Sequence, residues 1–173
     1  MIFKSIIFIS LFIIVISILV CYFTPSKKIL LRTKVDYLLV LKSERRLIAY
    51  SSNQIIKTYK IALGKSPIGD KEFEGDSKTP EGFYTINAKS DTSKFYKNLG
   101  ISYPDSSDIE KSKQYGKPTG GDIKIHGLRN GIGFIGKLHR LVDWTAGCIA
   151  VTNDEIEELY QAVEIGTKIE IRK

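Results

Sequence analysis

Asp143-Trp144-Thr145-Ala146-Gly147-Cys148-Ile149 is the stretch on which the reading of this chain turns. It sets one of two cysteines in a turn of small residues, downstream of an isolated Ile125-His126-Gly127. A thiolate is a good acyl-transfer nucleophile, and an imidazole is the usual group that generates it. Ala146 and Gly147 leave the backbone room to turn and let a substrate carbonyl approach. Peptide N–H groups in such a turn, that of Cys148 included, can face an oxyanion. A buried, inert cysteine is the alternative for any lone thiol, but Gly-Cys between a turn and a capped helix argues for chemistry.

That helix is signposted by Thr152-Asn153-Asp154-Glu155, which has the form of a capping box. Ile156, Leu159, Tyr160 and Val163 follow at helical spacing, Gly166 is the expected stop, and Thr167–Ile171 reads as a final strand. The positive end of the helix is expected to favour a thiolate at Cys148. Upstream, Asp36–Leu41 and Arg46–Tyr50 are β-rich runs around the turn Lys42-Ser43-Glu44-Arg45, and Gln54–Leu63 is a third, which predicts a β-meander. Residues 64–82 are punctuated by glycine and proline. Phe83–Lys89 resumes as a strand, and Asp122–His126 alternates as another that places His126 at a strand end. Residues 90–121, with Tyr96, Tyr103 and Tyr115, show no period and read as irregular around at most a short helix, a candidate lid or wall. The expected architecture is mostly β, a sandwich or meander with one helix after the cysteine.

The N-terminus reads differently. Ser5–Phe23 is a run of 19 residues without a charge, long enough as a helix for a hydrocarbon core of about 30 Å. Small residues are scarce where cleavage would fall, and Val20 before Cys21 does not resemble a lipoprotein processing site. Residues 1–23 are therefore expected to form a membrane anchor, with a cleaved signal as the alternative, and 24–34 a polar tether. Counting Lys27, Lys28, Arg32 and Lys34 against Lys4 would leave the C-terminal side in the cytoplasm. Roughly 140 residues remain, enough for one domain with a core. Their 43% hydrophobic and 26% charged content is that of a folded globular protein. The net charge of +7 suits a lysine-rich surface or attraction to an anionic cell surface. With no arginine-rich stripe or aromatic RNP-like segment, nucleic acid is not an expected partner. The two cysteines make no disulfide framework, and no metal-ligand spacing is present.

His126, a spacer and Thr145-Ala146-Gly147-Cys148-Ile149 resemble the signature of the L,D-transpeptidase (YkuD-type) catalytic domain. Gly64-Lys65-Ser66-Pro67-Ile68-Gly69-Asp70-Lys71 and Gly75-Asp76-Ser77-Lys78-Thr79-Pro80-Glu81-Gly82-Phe83-Tyr84 are similar to that family's upstream segment, so the likeness covers residues 35–173. It implies an acyltransferase that needs no cofactor or metal and acts on peptidoglycan stem peptides, with an envelope lipoprotein as a further candidate partner. Cys148 would be the nucleophile, His126 the base and Gly127 the residue whose carbonyl orients the imidazole. Gly147 and Thr145 would shape the oxyanion turn, and the intermediate would be a thioester. An L,D-carboxypeptidase or amidase of the same fold is the alternative. Such a substrate lies outside the cytoplasm, so the resemblance implies a single-pass protein whose catalytic domain faces the periplasm or cell wall, against the charge count.

The chain departs from the family at Ala146, where the signature has a second histidine, and at Ala150, where Asn or Arg is usual. Asp-Trp-Thr-x-Gly-Cys-Ile-Ala instead resembles a subgroup from Gram-negative envelopes, some of whose members hydrolyse bonds. His139 is the rival base, and it also reads as a loop histidine or a substrate contact. Arg129 and Arg140 are candidate carboxylate forks or solvated charge. Trp144 is a candidate substrate contact, and with Asp143 it is expected to shape the turn. Lys78–Gly82 reads as a turn that feeds a strand.

Overall fold

The computed structural model describes residues 2–24 and 33–173, and within the first helix the side chains of residues 6–17, 19 and 20. That helix, α1 (Ile2–Phe23), carries exposed apolar side chains. Among the described residues no helix is long and apolar enough to cross a membrane, so the structure does not show the span expected over residues 5–23. The side chain of Cys21 and most of the expected tether, residues 25–32, lie outside the described residues.

β1 (Val35–Leu41), β2 (Arg46–Ser51) and β3 (Gln54–Lys60) form the expected antiparallel meander. Alternation in β1 turns Leu38 and Val40 into the core while Asp36 faces solvent, as a half-buried strand requires. β4 (Gly82–Ser93) is long enough to serve two partners. Gly82–Thr85 pairs with β8 (Val163–Arg172), and Ile86–Ser93 pairs with β5 (Tyr96–Ile101). β6 (Lys124–His126) and β7 (Ile149–Ala150) complete an eight-stranded sheet in the order β3-β2-β1-β8-β4-β5-β6-β7. The sheet curls until its ends meet, because Ala62, just past β3, exchanges backbone hydrogen bonds with Ala150 of β7 at 3.0 and 2.8 Å. It is thus one curled sheet, not the two layers of a sandwich.

Inside the curl, Leu38, Leu47, Ile86, Leu99, Ile125, Ile149, Ile156 and Leu159 are fully buried. Each such side chain contributes about 1.5–3 kcal/mol relative to exposure. α3 (Asn153–Ala162) carries the reciprocal capping box foreseen at Thr152 and Glu155, and its apolar face packs on β5, β6 and β8.

Three expectations are corrected. Residues 90–121 are not irregular: they hold the end of β4, a tight connection, β5, and α2 (Ser106–Gln114), which Asp105 and Asp108 cap. The single helix expected after the cysteine is joined by α2 and by two 3-10 turns over Gly133–Leu141, broken at Gly136 (φ 47°). Gly166 does not end α3. The helix stops at Ala162 because Val163 is already drawn into parallel pairing with β1, and Gly166 (φ 92°) sits in the shift of register between Val35/Val163 and Tyr37/Lys168.

Candidate active site

β6 and β7 run parallel, with Ile125 opposite Ile149 and His126 opposite Ala150. Continuing that register sets Lys124 opposite Cys148. Side chains alternate along strands, so Ile125 and Ile149 enter the core, whereas Lys124, His126 and Cys148 share the other face. There they line one cavity of about 480 Å³ with Phe95, Asp122 and Trp144.

The half-buried Cys148 thiol donates to the Asp122 carbonyl at 3.6 Å. Burial pushes its pKa up, against the opposing pull of the Lys124 backbone N–H and ammonium. The Asp122 carboxylate adds to the upward push, so a thiolate at this sulfur is disfavoured in the resting site. His126 is buried, and burial pushes its pKa down, aided by Lys124 and opposed by its hydrogen bond to Gly127. Its Nδ1 lies 2.7 Å from the Gly127 carbonyl. A carbonyl can only accept, so the proton sits on Nδ1 and Nε2 keeps its lone pair. The two shifts favour a thiol at Cys148 and a neutral imidazole at His126, in the same cavity.

Thr145 locks the turn: Oγ1 donates to the Cys148 carbonyl at 2.7 Å and accepts from Gly147 N–H at 3.1 Å. Gly147 N–H is thus occupied within the turn it was expected to shape. Among the described residues, no hydrogen bond engages Ala146 N–H or Cys148 N–H, so both turn amides are open to a substrate oxygen. The upstream glycine-rich segment lies beneath this turn. Gly64 bridges Thr145, and a Cβ on Gly147 would stand 2.7 Å from the Lys78 carbonyl. Lys78–Gly82 is therefore more than a turn into β4; it is the floor under the cysteine. Asp143 pins the other side by accepting from Leu63 N–H at 2.8 Å and pairing with Arg45 at 2.7 Å.

The other candidates separate. Arg129, exposed, and Trp144 line the cavity. His139 and Arg140 do not. His139 is buried behind Trp144, whose Nε1 donates to its Nδ1 at 3.4 Å, and Arg140 pairs with Glu155. Sequence reasoning missed Phe95, Asp122 and Lys124. Asp122 and Lys124 had a signal, standing four and two residues before His126 on a run read as an alternating strand. Phe95 arrives from the β4–β5 connection, which carries no motif. Among the described residues, no group of three or more His, Cys, Asp or Glu side chains is placed to hold a metal.

The sequence profile of the L,D-transpeptidase catalytic domain, YkuD, matches residues 35–171. This chain belongs to that family. Among relatives of the L,D-transpeptidase domain, YafK of Escherichia coli (strain K12) is 32% identical over 133 residues, which are 73% of this chain and 46% of YafK. YqjB of Bacillus subtilis (strain 168) is 26% identical over 136 residues, 77% of this chain and 69% of YqjB. The crystal structure of the helical cell shape determining protein Pgp2 from Campylobacter jejuni superposes with a TM-score of 0.61 at 29% identity. That match covers 86% of this chain and 52% of Pgp2. The chain thus spans about half the length of YafK and of Pgp2.

Proposed function

We propose that the protein is a cysteine-dependent L,D-transpeptidase that acts on peptidoglycan stem peptides through a thioester. The observation that carries this reading is the placing of Cys148 and His126 on one face of the β6–β7 pair, in one open cavity. As Sγ attacks the carbonyl at the L-centre of the stem, His126 Nε2 takes the thiol proton. Cys148 N–H receives the developing oxyanion. His126 then gives its proton to the departing D-amino acid amine, and the thioester remains. An amine from a second stem completes transfer. Lys124 and Arg129 supply positive charge for a stem carboxylate. The same reading takes the uncharged sequence run Ser5–Phe23, and not any span shown by the fold, as a single-pass anchor in the cytoplasmic membrane, with the catalytic domain on the periplasmic or wall side.

One observation favours a second reading, hydrolysis by an L,D-carboxypeptidase or amidase. At Ala150 the backbone is bonded to Ala62 and the side chain is buried, so this position offers an acceptor amine no contact and leaves the thioester to water. Incubating the full chain in detergent with tetrapeptide muropeptides and a D-amino acid separates the two. An exchanged product supports transfer; a shortened stem alone supports hydrolysis. A Cys148→Ala variant that keeps either activity would refute both.

A further inference from the structure

The segment between His126 and the cysteine turn packs inside out. Phe134, Leu138, Leu141 and Val142 are 78%, 50%, 79% and 65% exposed, whereas His139 is 4% exposed and Arg140 half-buried. Burying apolar groups is favourable and burying an imidazole or a guanidinium is not, so hydrophobicity did not select this arrangement. Polar contacts hold Arg140 and His139 inward. Arg140 pairs with Glu155, the carboxylate that also accepts from Thr152 N–H and Oγ1 at the start of α3. His139 Nδ1 accepts the indole N–H of Trp144, with the two rings nearly perpendicular at 88°. Accepting at Nδ1 forces the His139 proton onto Nε2, which is buried with no hydrogen-bond partner among the described residues. An orphaned buried donor persists in a fold only where something is gained by it.

What is gained lies on the other side of the indole. Trp144 meets His126 edge-on, ring centroids 5.6 Å apart at 69°, and Phe95 packs on the same imidazole at 4.6 Å. The hydrogen bond from Nδ1 to the Gly127 carbonyl sets the tautomer of His126, but a single bond leaves its ring plane free to tilt. The aromatic contacts fix that plane. We propose that His139 is a positioning residue: by accepting the indole N–H it fixes Trp144, and Trp144 with Phe95 holds the His126 imidazole in its working orientation. This rests on the reading of His126 as the base. Burial keeps His139 neutral, pushing it down to about 4 with Arg140 adding to the push and Glu155 opposing it, so the acceptor persists at neutral pH.

Trp144 is the one tryptophan of the chain, so its emission reads the contact without reference to activity. In the full chain in detergent, His139→Leu removes the acceptor at similar volume, and His139→Asn keeps an oxygen near the place of Nδ1. His139→Leu should red-shift the emission and lower kcat about tenfold at little change in KM, the size expected for losing one aromatic positioning contact. It should also move the acid limb of kcat/KM upward, because water reaches His126 and its pKa rises. His139→Asn should keep the parent emission, limb and most of the rate. Trp144→Phe should reproduce the loss, and adding His139→Leu to it should cost nothing more. Equal impairment by Leu and Asn with an unmoved limb, or strictly additive losses, would overturn the proposal. If His139→Leu does not fold, Trp144→Phe with parental kcat and limb overturns it alone. Full activity in His126→Ala would defeat the reading of the base, while the emission of the His139 variants would still report on the brace.

Discussion

Gly64→Ala tests how tightly the upstream segment is built against the cysteine turn. Gly64 does not occupy the left-handed region, so an alanine there meets only a steric obstacle. Its Cβ would stand 2.1 Å from the Ser77 carbonyl oxygen, 2.9 Å from the Ser77 carbonyl carbon and 3.1 Å from Gly147 Cα. All three are backbone atoms, and no side chain can rotate away. Reaching even a tight contact of 3.0 Å requires a shift of 0.9 Å (3.0 − 2.1), and an ordinary one of 3.4 Å requires 1.3 Å. Overpacking of this kind costs about 1–3 kcal/mol. Opening the gap also strains the Lys65 N–H to Thr145 and Ser66 N–H to Ser77 hydrogen bonds, worth about 1 kcal/mol each. A total of about 3–5 kcal/mol should lower the melting temperature by roughly 10 °C in a domain of this size. Because the displaced atoms abut Gly147, a shift of about 1 Å at the nucleophile should slow Cys148 acylation by about 100-fold. Circular dichroism melting and mass spectrometry of a carbapenem adduct measure the two effects. Gly121→Ala is the control, since its Cβ would meet nothing closer than 3.9 Å. A Gly64→Ala protein that melts within about 2 °C of the parent and acylates at the parental rate would refute the reasoning.

Lys71 and Asp76 form a 2.7 Å ion pair, each side chain 4% exposed; Asp76→Asn should cost about 3–5 kcal/mol in urea unfolding, and a loss below about 1 kcal/mol would show the pair to be dispensable. Burial would raise the Asp76 carboxyl, but Lys71 and the N–H groups of Glu72, Lys78 and Phe73 outweigh it and hold it below the usual range. Its contribution is therefore present above the ordinary carboxylate pKa and is lost as pH falls through the lower folded value. His139 lies low for a base, so the unfolded state takes up its proton first and stability should decline as pH falls from 6.5 towards 4. That gap is worth about 3 kcal/mol; urea midpoints at pH 7 and 4.5 measure it, and the His139→Asn chain should lose this part of the slope. The Cys148 thiol, pushed up by burial, should react with iodoacetamide at pH 7 more slowly than a free cysteine and gain rate through pH 9. A faster reaction than the free thiol at pH 7 would mean a preformed thiolate.

The meander and α3 were legible because local signals and final environment agree there: alternation in Val35–Leu41, and Thr152 with Glu155 ahead of Ile156 and Leu159. Cys148 and His126 stood out as candidates because Gly-Cys and His-Gly carry their chemistry in adjacent residues. What was hidden depends on partners distant in sequence. β5 was unreadable because Tyr96, Lys97 and Asn98 give it no apolar alternation, and its stability comes from pairing with β4 and β6. Gly133–Leu141 misleads by composition, since Phe134, Leu138 and Leu141 are exposed while His139 is buried and Arg140 half-buried. Which amides of the cysteine turn are already engaged was hidden too, because only the fold shows that Thr145 occupies Gly147 N–H.

β8 lies at the centre of the sheet, gripped by β1 on one side and β4 on the other, although it is the furthest along the chain of the eight. Neither neighbour can satisfy its inner edge until Val163–Arg172 has arrived, so a nascent chain must wait, open, for that strand. Loss of that segment would split the sheet down the middle, and no shortened fold would survive it.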